Sequence, residues 1–296
     1  LGFAADDKNI LAQRDDTVPF TVAEFFRKLY PGHAYGRPTE GTEASVRGLT
    51  MDALHARHAS IYRPGQLVLS AVGDFDAAWM LERLNALVRT LPVSGESLSA
   101  HAVRYPSGAV RADLQKDVSQ AVVVLGYPGP RVDSPDRHAL EVWNAVLSGM
   151  GNRLFTRLRD EKHLCYFTSA FVAPLAQGGA VGAYVGTGPE QVEEALAALV
   201  VELETSAREA PSSEELERAK NTLAGSYLID MQTRMAWAAS AARDEALGLG
   251  FQETLDYVAS IRAVTPEDVL RAAAVTVDPA RLVVAVLQPQ SEAARS

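Results

Sequence analysis

Cysteine is nearly missing from this sequence. The single one, Cys165, excludes an internal disulfide and a cysteine-rich metal site, and it is expected to be an inert core thiol. Positive charge is scarce as well: 28 Lys and Arg against 37 Asp and Glu leave a net charge of -9, with no basic stripe. Nucleic acid and anionic membrane surfaces need clustered Lys and Arg, so neither is expected as a partner. Long apolar runs are also missing. The longest, residues 121–126, is far too short to span a bilayer and suits a buried strand. No signal-peptide pattern opens the chain, whose first residue is Leu1 rather than methionine, and a segment upstream is expected to be missing. With 47% hydrophobic and 22% charged residues over 296 positions, the profile that remains is that of a soluble globular chain of one large or two medium domains.

What is present reads as long helices between strands. Phe20, Val22, Phe25, Phe26 and Leu29 predict an amphipathic helix ended by Pro31-Gly32, followed by a polar, glycine-rich loop over 33–43. Thr50 is an N-cap for a helix through His58, Gln66 to Gly73 reads as a strand, and Ala77 to about Leu91 as a helix. Strands are expected over 109–114, 120–127 and 178–186, with helices over 135–147, 190–208, 212–234 and 235–248. This pattern lacks strict βαβ alternation, which argues for an α+β sandwich: an antiparallel-rich sheet with helices packed on one face.

The sequence also repeats itself. Ser45, Arg47, Thr50, Ala59, Pro64, Leu67 and Val68 recur without gaps as Ser260, Arg262, Thr265, Ala274, Pro279, Leu282 and Val283, at a constant offset of 215 positions. Two homologous αβ domains are therefore expected: residues 1–92 as the C-terminal part of a first copy, 93–100 as a linker, and 101–296 as a second copy. By that count the first copy lacks roughly 115 residues at its amino end.

One stretch stands apart. Residues 149–170 open on a glycine pair, carry Leu154, Phe155 and Leu158 at helical spacing, and turn β-rich from Leu164 onward. This is a loop, a short helix and a strand, with Arg159 in the last helical turn and Tyr166 seven positions later. The bend can bring both polar tips to one side. A surface arginine and a half-buried tyrosine are the alternative reading.

The run RLFTRLRDEKHLCY resembles the matching segment in the second domain of the pitrilysin/insulinase family of zinc peptidases, the inverted zincins of motif H-x-x-E-H. Residues 33–42 likewise resemble that family's HPYGRP-x-x-GT loop. Cys165 stands where the family usually has glycine. The resemblance implies that Arg159 and Tyr166 are the catalytic-site residues reaching toward a zinc held by another domain. It implies no such zinc here. No H-x-x-E-H occurs; the nearest match, His138-Ala-Leu-Glu141-Val142, has valine in place of one ligand and reads as a decayed duplicate on a packing helix. His55 and His58, at i, i+3 spacing, lack a third ligand. The family's glutamate ligand would fall near Lys8 or Asn9, yet the first glutamate of the chain is Glu24.

The resemblance thus implies a non-zinc subunit of a heteromeric metallopeptidase, binding no metal or other cofactor itself, with zinc in a homologous partner subunit and a peptide as substrate. Two alternatives remain: a catalytically silent structural homologue of the same fold, or the C-terminal part of a complete zinc peptidase. The residues leave the compartment open, and the resemblance leans toward the bacterial periplasm over the cytoplasm.

Overall fold

The computed structural model describes residues 16–91 and 102–290. In chain order its main elements are α1 (Thr17–Leu29), α2 (Met51–Ile61), α3 (Ala77–Val88), β1 (Val110–Lys116), β2 (Ala121–Pro128), α4 (Arg137–Leu147), a π-helix (Phe155–Glu161), β3 (Phe167–Pro174) and β4 (Gly179–Thr187). They continue as α5 (Val192–Ser206), α6 (Ser213–Asp230), α7 (Arg234–Ala246), α8 (Gln252–Ala263), α9 (Pro266–Thr276) and β5 (Val283–Pro289). By contacts the chain forms two compact units. The first comprises Leu1–Glu43, His101–Leu223 and Ile261–Ser296; the second comprises Ala44–Ala100 and Ala224–Ser260. The expected linker over 93–100 lies outside the described residues.

The first unit is built on one five-stranded sheet of order β1-β5-β2-β4-β3. Only β1 and β5 run parallel; the other pairs are antiparallel, as the meander β3 to β4 requires. Every residue of β2 from Ala121 to Leu125 is fully buried. Side chains of a strand alternate between faces, so burial of both sets demands cover on both sides. Val122 and Val124 meet Phe25, Leu29 and Tyr30 of the α1 segment, while α5 crosses β2 and β4 and α4 lies on β3. Trp143 Nε1 ties α4 to α5 by donating to Ser206 Oγ at 3.1 Å. Helices therefore flank the sheet on two sides rather than the one expected from sequence. The periodicity of α1 identified a helix but not the face it would fill.

Local sequence explains α1 well. Asp16 Oδ1 accepts from the Val18 amide at 3.3 Å as N-cap, and Arg27 and Lys28 sit in the last turn where the helix dipole favours cations. Gly32, at a φ of 76°, then reverses the chain.

The second unit holds α2, α3, α7 and most of α8. Thr50 caps α2, accepting from the Ala53 amide at 3.2 Å, and Asp76 caps α3, accepting from the Trp79 amide at 2.7 Å. The strand expected over Gln66 to Gly73 is not formed. Residues 64–66 make a 3-10 turn, and residues 67–72 find no ladder partner among the described residues. Strand propensity is real only where a neighbouring strand takes up the backbone hydrogen bonds.

Candidate functional site

Two glycines set the entry to the focal stretch. Gly149 and Gly151 take φ values of 107° and 80°, a region closed to most side chains. Asn152 pins the turn by donating from Nδ2 to the carbonyls of Ala145, at 2.8 Å, and Ser148. The π-helix that follows stacks residues four apart in three rows. Leu154 and Leu158 point into the core and are essentially inaccessible. Arg153 reaches Glu215 with two charge-assisted bonds, Nε to Oε1 at 2.6 Å and Nη2 to Oε2 at 2.9 Å. Arg157 Nη1 reaches the buried Glu202 Oε2 at 2.7 Å.

The third row is Phe155 and Arg159. The Arg159 guanidinium lies 4.7 Å from the centroid of the Phe155 ring. Arg159 is exposed, and among the described residues it makes no ion pair. Its two neighbouring arginines are committed to carboxylates; this one is held over an aromatic face with its donors in solvent. Phe155 was not legible as a site residue. The only signal was its position four before Arg159.

The helix ends at His163, whose φ of 56° turns the chain toward β3 and whose Nδ1 donates to Arg159 O at 3.1 Å. Thr187 Oγ1 donates to Leu164 O at 2.7 Å in the interior, and the Tyr166 amide donates to Gly186 O at 2.9 Å. Backbone and neighbours are thus fixed while the Tyr166 side chain is 56% exposed, more open than the half-buried alternative. Between them Cys165 is a buried free thiol. Burial pushes its pKa up; the Arg159 cation opposes this and Asp160 reinforces it. The thiol form dominates at neutral pH, as an inert core residue requires.

The metal-like histidines sit elsewhere. His138 is on α4 with its Nδ1 3.8 Å from Glu141 Oε2, and its Nε2 is 3.0 Å from Arg137 Nη2. A guanidinium against the imidazole competes with any cation, and Val142 is fully buried in the core. Exposed His58 stacks on Tyr62 with ring centroids 4.4 Å apart, and His55 is exposed on the same helix. Glu24 pairs with Arg27 at 2.5 Å. No group of three or more His, Cys, Asp or Glu among the described residues is placed to hold a metal. These donors do not fit zinc.

The 33–43 loop has a packing role. His33 Nδ1 accepts from the Tyr35 amide at 3.1 Å, its Nε2 meets Gln177 Oε1 at 3.3 Å, and the Tyr35 hydroxyl accepts from the Gln177 amide at 3.3 Å. Gly36 is required there, because a Cβ would fall 2.7 Å from Tyr30 O. No described helix is long and apolar enough to cross a membrane.

Comparison with known proteins now decides the family. The description "Peptidase M16 inactive domain" matches residues 48–223, a span that contains the π-helix, Arg159 and Tyr166. The chain belongs to the M16 peptidase family. An uncharacterized zinc protease of Streptomyces coelicolor is 30% identical over 83% of this M16 chain and 55% of its own length. The mitochondrial-processing peptidase subunit alpha of Bos taurus is 22% identical over 92% of the chain and 56% of its own length. The chain thus spans about half the length of the curated relatives it matches. A solved M16 inactive-domain protein from Pseudomonas fluorescens superposes with a TM-score of 0.87 at 21% identity, covering 97% of this chain and 69% of that one, which establishes the fold.

Proposed function

We propose that this M16 chain is the non-zinc subunit of a heteromeric peptidase, presenting Arg159 and Tyr166 to a peptide bound at a zinc-binding homologous subunit. The observation that carries this is the selective freedom of Arg159. Three arginines lie within seven positions; two are neutralised by Glu215 and Glu202, and the third is stacked on Phe155 with its fork exposed. The resemblance supplies the role of each residue. Tyr166 donates a hydrogen bond from its phenol to the oxyanion that forms when the peptide carbonyl is attacked. Arg159 grips a substrate carbonyl or carboxylate with its planar donors. The match to a relative named as an alpha subunit supports a division of labour between chains.

In this reading residues 1–92 and 101–296 belong to two copies of one αβ unit, the second carrying the pair. Co-expression with a homologous chain that encodes H-x-x-E-H tests the assignment. The two chains are expected to copurify and to cleave unfolded peptide in a chelator-sensitive manner, with neither active alone. Copurification without cleavage would favour a structural homologue instead, and cleavage by this chain alone would place the catalyst within it.

A further inference from the structure

Where β2 leaves the sheet of the first unit and β5 enters it, another arginine is held over an aromatic ring. Arg281 closes the 3-10 turn Pro279–Arg281 ahead of β5, and its guanidinium lies 5.3 Å from the centroid of the Tyr105 ring. That ring is fixed, because the Tyr105 hydroxyl accepts from the Gly179 amide at 3.1 Å. Arg281 is exposed, and among the described residues it makes no ion pair. The turn itself does not need this cation: the stretch 215 positions earlier makes the same 3-10 turn, Pro64–Gln66, with Gln66 at the matching place.

Beside Arg281 opens a cavity of about 250 Å³, whose apolar side includes Pro130, Leu140 and Val275 and whose polar side adds Ser134, Asp136 and Thr276. Most of that polar side is already spent. Thr276 Oγ1 donates to Ala272 O at 2.8 Å, and Asp136 Oδ1 is neutralised by Arg271 Nη1 at 2.5 Å. Ser134 Oγ accepts from the Asp136 amide at 3.2 Å, and its own proton goes to no described residue. Two donors are left on the cavity, and one of them is charged.

We infer that this cavity binds a carboxylate carried on a short aliphatic body, either the C-terminal residue of a peptide or a free short-chain acid. The Arg281 guanidinium takes the carboxylate with its planar fork, the Ser134 hydroxyl donates to it, and the body rests on Pro130, Leu140 and Val275. Size limits the ligand: about 250 Å³ lies below the about 300–1,000 Å³ of pockets for drug-sized molecules. Charge limits it too. One uncompensated cation matches a monoanion, and Asp136 on the same wall opposes a dianion such as phosphate. Register puts the cavity at the far end of the sheet from Tyr166, since Pro128 pairs with Ala180 while Phe167, next to Tyr166, pairs with Gly186. The inference is therefore independent of the roles given to Arg159 and Tyr166.

Amide-resolved NMR titration of the 296-residue chain tests it, with N-acetyl-Gly-Val, its C-terminal amide, isovalerate and inorganic phosphate as probes. The free acids are expected to give saturable shifts at Gly129, Ser134 and Arg281. The C-terminal amide should bind at least about tenfold more weakly, as should N-acetyl-Gly-Val to Arg281→Gln, because each change removes a charge-assisted contact. Val275, 76% exposed, can be replaced without touching the core, and Val275→Asp should weaken binding similarly while the rest of the spectrum stays unchanged. Tighter binding of the acetylated dipeptide than of isovalerate assigns the site to a chain end; equal or tighter binding of isovalerate assigns it to a free acid. Absence of saturable shifts, equal binding of acid and amide, undiminished binding by Arg281→Gln or Val275→Asp, or phosphate binding as tightly as the acids would each overturn the proposal.

Discussion

Arg159 rests on Phe155, its guanidinium 4.7 Å from the ring centroid, four residues along a π-helix whose other two rows are spent on the core and on ion pairs. The wider turn matters here. It lets Leu154 and Leu158 stay buried while Arg153, Arg157 and Arg159 point to three different destinations, and π-helical turns recur at functional sites for this kind of re-aiming.

Phe155 should therefore steer Arg159 without being needed for folding. An exposed cation–π contact contributes about 0.5–1 kcal/mol. Phe155→Leu is expected to raise KM of the reconstituted peptidase roughly two- to fivefold, with circular dichroism and copurification unchanged. An unchanged KM would make the stacking incidental.

Restoring the third position of the histidine motif should not restore a metal. Val142 is fully buried, and Arg137 stands 3.0 Å from His138. Val142→His is expected to lower stability by about 1–3 kcal/mol, the cost of burying a polar ring in an apolar site, and to bind no stoichiometric zinc by elemental analysis. One zinc per chain would refute the reading of this helix as a packing element.

The pair that tethers the π-helix to α6 gives a pH signature. Hydrogen bonding to Arg153 holds the Glu215 carboxyl at about 2. A carboxyl depressed in the folded state adds stability that is complete above its unfolded value of about 4.3 and is lost as pH falls toward 2. Glu215→Gln keeps the cap on Ser212 but removes the charge. It is expected to cost about 1 kcal/mol at neutral pH, the upper range for a pair with access to solvent, and to flatten urea stability between about pH 4.3 and 2. An unaltered pH profile would mean that the pair does not tether the helix.

Much of this was legible in the sequence, and what was not has physical causes. The N-cap at Thr50, the helix α1 and the strands of the sheet follow from local residues. The position of α1 does not, because a helix period says which face is apolar but not which sheet it meets. The strand over 66–73 failed for the same reason: its residues are strand formers, and strand structure depends on a neighbour. At the candidate site, the resemblance of the 153–166 run to the pitrilysin/insulinase segment singled out Arg159 and Tyr166. The stacking of Phe155 and the capture of Arg153 and Arg157 came only from three-dimensional partners on the same segment and on α6 and α5.

The most direct test is turnover of the proposed two-chain enzyme with Tyr166→Phe and Arg159→Lys in this chain. Removing one such donor should slow peptide cleavage by about 3 kcal/mol, roughly a hundredfold, with the zinc content of the partner and the assembly both intact. Wild-type turnover by both variants would show that these two exposed side chains take no part in hydrolysis.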